Sequence, residues 1–460
     1  MKQIAIIIIS ILTLSGQTYA KQVVKQTAKQ VAKNFFAEKA DLKLSEITFG
    51  KEFVITTENR TTCFVFNINE GFIAVAGDDA VFPVLAYSFE SSYTGKGFPA
   101  GFSFWMEKYS EQVEYAINHK NEASDRIKAV WGKYSDKNFT PKKGNSGVEP
   151  LLSTTWGQGC YYNTAFPEEE QGQCGHLYTG CVATAMAQIM KYYNYPESGT
   201  GSYGYNTNYG YVEADFENTV YNWNEMENHL TDENEAVATL MFHSAISLSS
   251  QFFPEGTGAY DTTVPGALFK YFKYKDDAQF LFRDEYPGDW KALLRSELDE
   301  HRPVLYGAVA EAKTLYGHSL VCDGYQDTAF FHFNWGSGGN YDGYFYLDTL
   351  TAAGLNFNKF QDAVVGIEPL ANGVSDISKH PAVSVFPNPS YGEFFIDLEN
   401  DNRKNAEILL FDLSGKLILR QQLNGNNENI KIDVPGLEGT FLLQVNNGDK
   451  QYFSKIILLD

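Results

Sequence analysis

The residues of this chain best suited to do chemistry are Cys181, in Tyr178-Thr179-Gly180-Cys181-Val182-Ala183-Thr184-Ala185, and His318, in Tyr316-Gly317-His318-Ser319-Leu320. A thiol becomes a good nucleophile when its pKa is lowered, and the two usual devices are a helix N-terminus and a neighbouring imidazole. Cys181 opens an apolar helical run: Val182, Met186, Ile189, Met190 and Tyr193 recur at helical spacing, and Asn194-Tyr195-Pro196 stops it. With Thr179 as its cap, the first unpaired N–H groups of that helix point at the sulfur. Taken alone, the pattern suits a buried helix-start cysteine equally well.

A cysteine hydrolase needs a thiolate, a base, an orienter for the base and donors for the oxyanion. His318 stands at a glycine-flanked strand start, where a lone histidine is more often a satisfied core residue. The following hairpin, Phe331-His332-Phe333-Asn334-Trp335-Gly336, shifts the balance by bringing Asn334 and Trp335 to the adjacent strand. An Asn amide can hold an imidazole in one tautomer, and a Trp face can shield that contact from water. His332 is the rival base, but alternation puts it on the face of Asn334, where it would crowd rather than be held. For the oxyanion, the Gln158 amide in Trp156-Gly157-Gln158-Gly159 could join the backbone N–H of Cys181. His176 reads as a loop or rim residue, and His243, inside the apolar run Leu240 to Ile246, as core.

The elements that must position these groups belong to a long chain. Its 460 residues call for about two to four units, and 43% apolar content supplies a sizeable core. A net charge of −21 with no basic stripe argues against nucleic acid or an anionic membrane as partner. Lys2, the apolar run Ile4 to Leu14 and Thr18-Tyr19-Ala20 read as a cleaved secretory signal over residues 1–20, the run being too short to span a bilayer comfortably. Five cysteines in an exported protein leave at least one free thiol. Cys160 and Cys174 could pair across a short loop or stay free; Cys322 sits in an apolar run and reads as buried and inert. No CxxC or His/Cys zinc spacing is present, so neither a metal nor any other cofactor is expected.

Three regions follow the signal. The first, 21–147, has a helical pattern from Val24 to Ala37, a hairpin-like run from Phe64 to Val75 turning at Asn69-Glu70-Gly71, and an amphipathic stretch from Phe104 to Ile117. It closes on the polar, breaker-rich segment Asn138 to Gly147, an exposed linker and plausible cleavage site. The second, 148–372, holds the cysteine and histidine. The third, 380–460, has short alternating runs divided by turn signals such as Pro387-Asn388-Pro389, Ser414-Gly415-Lys416 and Asn446-Asn447-Gly448, the pattern of a small antiparallel β-sandwich.

These residues converge on a family. Thr179-Gly180-Cys181-Val182-Ala183-Thr184-Ala185-Met186-Ala187-Gln188-Ile189-Met190-Lys191-Tyr192 with Asn194-Tyr195-Pro196 resembles the nucleophile segment of the streptopain (C10) cysteine peptidases. Gly317-His318 through Asn334-Trp335-Gly336 resembles their histidine segment, and Trp156-Gly157-Gln158-Gly159 their oxyanion glutamine. Ser337 departs from the family, which usually carries a second Trp there. Gly71-Phe72-Ile73-Ala74-Val75-Ala76-Gly77-Asp78-Asp79 with Pro83-Val84-Leu85-Ala86-Tyr87-Ser88 resembles the family's pro-domain. Pro387-Asn388-Pro389, Asp412-Leu413-Ser414-Gly415-Lys416, Leu437-Glu438-Gly439-Thr440 and Lys455-Ile456-Ile457-Leu458 resemble a type IX secretion sorting domain.

The resemblance implies an α+β chain: a papain-like catalytic domain behind an N-terminal α+β pro-domain, with a C-terminal β-sandwich. It also implies a zymogen whose pro-domain covers the cleft, protein or peptide substrates with an apolar side chain two positions before the cut, and export by the type IX machinery to the medium or outer-membrane surface. Two other readings stay open: an amidase acting on cell-wall peptides, and a catalytically silent surface binding protein.

Overall fold

The computed structural model describes residues 21–142, 147–309, 317–348, 350, 361–370, 384–397, 407–412, 416–422, 430–447 and 450–459. The expected signal, part of the linker, and parts of the turns at 414–416 and 446–448 lie outside these residues. The chain divides into two compact units, 1–369 and 370–460.

In the first unit one antiparallel sheet of eleven strands runs through both the N-terminal region and the region holding Cys181 and His318. Its N-terminal part is a meander of Phe49–Thr57, Arg60–Ile68, Gly71–Ala76 and Val84–Ser88. The expected turn is present, with Asn69 in the left-handed region (φ 51°). Gly71 follows it where a Cβ would lie 1.8 Å from the Ser88 carbonyl oxygen, so no side chain fits.

Val84–Ser88 is buried along its whole length, as a central strand must be, because it has a second partner. Tyr87 pairs with Tyr344 and Ala86 with Phe345 on Gly343–Tyr346. From there the sheet continues through Phe330–Asn334, Gly317–Gln326, Val304–Val309, Gln361–Val365 and Gln279–Phe282. Beyond the linker, the two-residue strand Gly147–Val148 pairs with Tyr325 and Gln326.

The two faces of this sheet hold different cores, which alternation along Gly317–Gln326 makes plain: Leu320 and Cys322 join one cluster, Val321 the other. The helix Ala100–Asn118 lies on the first face. Its Phe102 stacks on Tyr341 at 4.5 Å, its Trp105 meets Phe333 edge-on at 5.0 Å, and the Tyr109 hydroxyl donates to the Tyr346 carbonyl at 2.8 Å. Helix Lys25–Lys39 packs nearby with Asp125–Ser135, a helix the sequence reading did not anticipate, through Phe35 and Tyr134 at 4.9 Å. On the other face Met186, Ile189 and Met190 of helix Cys181–Tyr193 join Leu240, Met241 and Leu268 of the helices Glu235–Ser247 and Val264–Phe272.

The second unit consists of two antiparallel sheets. One orders Ser384–Phe386, Glu393–Asp397 and Ile430–Asp433; the other orders Leu417–Gln422, Glu407–Asp412, Gly439–Asn447 and Lys450–Leu458. Phe394 and Ile432 of one share a core with Leu410 and Leu443 of the other. No helix among the described residues is long and apolar enough to cross a membrane.

Phe345 is fully buried where the two parts of the large sheet meet, 5.0 Å from Trp335 and 5.6 Å from Phe333. Phe345→Ala should therefore destabilise the first unit by about 3–5 kcal/mol, read from its urea unfolding. An unchanged unfolding curve would show that this seam carries no stability.

Candidate active site

Cys181 is the first residue of its helix and is half-buried. Gly180 precedes it at φ 88°, where a Cβ would fall 2.6 Å from the Thr257 carbonyl oxygen, so the turn into the helix requires glycine. Thr179 does not cap the helix as expected, because the capping position belongs to Gly180. Its hydroxyl bonds that of Thr184 at 2.7 Å, and the Thr184 hydroxyl donates to the Gly180 carbonyl at 2.8 Å. No side chain among the described residues caps the first turn, which leaves its N–H groups and their positive potential to the site.

His318 faces Cys181, and each moves the other's titration. Burial opposes ionisation of the thiol, but the hydrogen bond and charge of His318, with the Ser319 backbone, outweigh it and the Cys181 pKa falls. Burial likewise opposes the imidazolium. The Cys181 sulfur, the Trp335 carbonyl and the charge of Asp261 outweigh it, and the His318 pKa rises. Both shifts favour a thiolate–imidazolium pair. The other free cysteines behave oppositely: Cys63 and Cys322 are buried and their thiols are pushed far up.

The orienting group beside His318 is not the one expected. Its Nε2 lies 3.2 Å from the Trp335 carbonyl oxygen. Asn334 is directly opposite Val321 in the ladder, and so shares the face of Val321, not that of His318. There Asn334 Oδ1 accepts from Gln188 Nε2 and the Gly336 N–H, each at 3.0 Å, and Nδ2 donates to the Thr154 carbonyl at 2.8 Å. The Trp335 indole is fully buried, and its Nε1 donates to the Tyr341 carbonyl at 2.9 Å. Its ring sits among Phe102, Trp105 and Phe345, the first two belonging to helix Ala100–Asn118. Ser337, at the family's Trp position, places Oγ 3.4 Å from the same Trp335 carbonyl.

Gln158 is half-buried, and its carbonyl accepts the Thr179 N–H at 3.0 Å, which ties its loop to the approach to Cys181. The pairing left open from sequence is made: a Cys160–Cys174 disulfide closes the loop between the two, with Cα atoms 5.3 Å apart. His176 lies just past that loop and is held to it, its Nδ1 2.7 Å from the Phe166 carbonyl. His243 is a core residue beside the Tyr221 hydroxyl (2.9 Å), and burial pushes its pKa down to about 4.

Sequence reasoning missed Gln188. Fully buried, it accepts from the Thr154 hydroxyl (2.9 Å) and the Trp156 N–H (3.2 Å) while donating to Asn334, so one amide links the nucleophile helix, the Gln158 segment and the histidine hairpin. The signal was there: one amide inside the apolar run Ala187-Gln188-Ile189.

The N-terminal region reaches the site directly. A Cβ on Gly101 would lie 2.1 Å from His318 Cδ2, so the start of helix Ala100–Asn118 rests on the imidazole. Elsewhere on the hairpin His332 is held rather than crowded: Nδ1 is 2.6 Å from Asp323 and Nε2 2.8 Å from Glu90. Although burial opposes it, these carboxylates push its pKa up to about 10. The contact with His332 lowers that of Glu90.

Three family models match this chain: the peptidase C10 family over residues 156–345, a Spi protease inhibitor over 20–113, and a secretion system C-terminal sorting domain over 384–459. Thiol protease/hemagglutinin PrtT of Porphyromonas gingivalis is 34% identical over 391 residues, covering 80% of this chain, which spans only 44% of that longer relative. Streptopain of Streptococcus pyogenes is 30% identical over 417 residues, covering 80% of this chain and 99% of the relative. Among solved structures, a fragment of Prevotella intermedia prointerpain A superposes with a TM-score of 0.57 at 29% identity, covering 70% of this chain and 100% of the fragment.

Glu90 lies in the inhibitor-matching segment and His332 in the peptidase-matching one, so their ion pair clasps the two. Because the folded pKa of His332 is raised from 6.5, its stabilisation is complete below pH 6.5 and is lost as pH climbs towards 10. Because that of Glu90 is lowered from 4.5, its share is present above pH 4.5 and disappears as pH falls below it. Glu90→Gln should thus lower the thermal midpoint of the full chain near pH 6, with the difference from wild type closing at pH 3. A constant difference across that range would show that the ion pair is not its source.

Proposed function

The chain belongs to the peptidase C10 family, and from that membership we propose that it is a secreted cysteine endopeptidase made as a zymogen. The contact of His318 with Cys181 at the start of its helix carries this reading, and the opposed pKa shifts of the two agree with it. The thiolate attacks the scissile carbonyl, and the Cys181 N–H and the Gln158 amide hold the tetrahedral oxyanion. His318 protonates the leaving amine, and water then hydrolyses the thioester with His318 as base. The Trp335 carbonyl orients the imidazole. Asn334 acts one step back, through Gln188, by holding the hairpin to the nucleophile helix, and the Trp335 indole keeps the hairpin's inner side dry.

In the zymogen, residues 21–147 cover the site through Gly101 and Phe102, and a cut within 138–150 frees the catalytic region 148–372. Residues 1–20 and 380–460 direct export, the latter by the type IX route, so the mature enzyme acts outside the cell or on its outer surface.

The reading is tested by self-cleavage, by turnover and by the reactivity of Cys181. Residues 21–460 prepared as wild type should cut themselves between 138 and 150, whereas Cys181→Ala should stay intact; identical uncut masses would sink self-activation. Gln158→Ala should fold normally yet lose about 10²–10³ in kcat. Alkylation of Cys181 by a haloacetamide in the nicked protein should persist well below the ordinary thiol pKa of 9.0 and retreat towards it in His318→Ala. Failure of Cys181 to react in both the full-length and the nicked form would overturn the enzyme reading. Cleavage of peptidoglycan peptides in place of proteins would favour the amidase.

A further inference from the structure

The Cys160–Cys174 bridge begins two residues after Gln158, and the catalytic steps make no use of it. Upstream, Gln158 is anchored by Trp156, which is fully buried and whose Nε1 donates to the Glu227 carbonyl at 2.8 Å. Downstream the chain turns at once. The Gly159 carbonyl accepts the N–H groups of Tyr162 at 3.0 Å and Asn163 at 3.2 Å. The returning segment closes on that turn, with the Gln173 side chain over Gly159, where a Cβ would fall 1.9 Å from its Oε1. Asn163 Nδ2 donates to the carbonyls of Gln173 at 2.9 Å and His176 at 3.2 Å, and the Thr179 N–H reaches back to the Gln158 carbonyl. Gln158 thus sits where the two limbs of one lobe meet, and the bridge joins those limbs.

That lobe is held in a shape its residues do not favour. Tyr161, directly after Cys160, has φ 74°, and Cys174 itself has φ 55°. Left-handed backbone is uncommon outside glycine, and for a bulky aromatic residue it is strained. Such conformations persist only where the surroundings over-determine them. The strained residues stand one at each foot of the bridge, so the covalent link opposes their relaxation. Opening it frees both feet, one of them three residues from Gln158. The bridge is also within reach of solutes, since Cys174 is exposed and Cys160 half-buried.

We propose that the Cys160–Cys174 bridge positions Gln158 and makes turnover redox-sensitive, so that kcat falls when a thiol reductant opens the bridge. This deepens the endopeptidase reading and rests on Gln158 as its oxyanion donor. A dithiol acts in two steps. One of its thiolates attacks the exposed Cys174 sulfur and expels Cys160 as a thiolate. Its second thiolate then attacks the reductant's own sulfur in that mixed disulfide, which expels Cys174 and closes the reductant into a cyclic disulfide. Two electrons pass to the protein, and two protons complete the Cys160 and Cys174 thiols. The same reductant keeps Cys181 free, so it enables the nucleophile and, in excess, loosens the oxyanion donor.

The self-processed enzyme would be assayed on a cysteine-free peptide across a dithiothreitol series, with iodoacetamide mapping of the cysteines in parallel samples. Turnover should rise as Cys181 becomes free. It should then fall by about tenfold or more in kcat, with KM little changed, as Cys160 and Cys174 become alkylated. The double variant Cys160→Ser with Cys174→Ser should show only the rise, to the lower plateau; if it fails to fold, the wild-type series decides alone. In a Gln158→Ala background, opening the bridge should cost nothing further, because the donor it positions is already gone. A bridge that merely supports the fold would cost the same factor in both backgrounds. That equal loss, full kcat with both cysteines labelled, or a bridge that dithiothreitol leaves closed overturns the proposal while the endopeptidase reading stands. Undiminished kcat in Gln158→Ala removes the oxyanion donor and the proposal together. If wild type cuts no peptide at any reductant level, the endopeptidase reading itself falls.

Discussion

The half-buried contact between Cys181 and His318 is the constraint around which this structure is arranged. Burial raises the free energy of the charged sulfur and of the charged imidazole separately, and the pair is favourable because each supplies what the other lacks. That balance requires the strand carrying His318 and the helix carrying Cys181 to be fixed relative to one another. The Gln188 amide provides one tie, since it bonds to Asn334, Thr154 and Trp156 in a single buried network. Gly180 provides another, because only a residue without a side chain lets the helix start so close to Thr257.

The same strand serves two masters. Residues on one of its faces meet helix Cys181–Tyr193, and residues on the other meet helix Ala100–Asn118, which rests on His318. The inhibitor-like region therefore does not sit over the peptidase as a separate cap. It adds four strands to the peptidase's sheet and sends Phe102 and Trp105 into the aromatic cluster around Trp335. Inhibition and folding draw on the same contacts, while the Glu90–His332 ion pair marks their outer edge.

Much of this was legible in the sequence because it was local. Helical spacing after Cys181, the turn at Asn69-Glu70-Gly71 and the alternating runs of the third region are all near-neighbour patterns, and each corresponds to an element. What escaped was what depends on register between distant strands. The Asn334–His318 contact seemed reasonable from adjacency, but pairing with Val321 puts Asn334 on the other face, and a backbone carbonyl, invisible in any motif, stands next to His318 instead. Asp261 and Asp362 are a hundred residues apart, to the nearest round number, and only Gly307 lets them meet. The continuity of the sheet was hidden for a similar reason, since Val84–Ser88 reads the same whether its second neighbour belongs to its own region or to another.

That continuity bears on what a cut in the linker would leave behind. Gly147–Val148 lies downstream of most of the linker and is stitched to Tyr325 and Gln326, so a new terminus just before it would stay anchored to the catalytic sheet. Loss of the N-terminal strands would strip Gly343–Tyr346 of its partner and turn an interior strand into an aromatic-rich rim with open backbone hydrogen-bonding groups. That edge is a border that the intact chain keeps occupied by its own backbone.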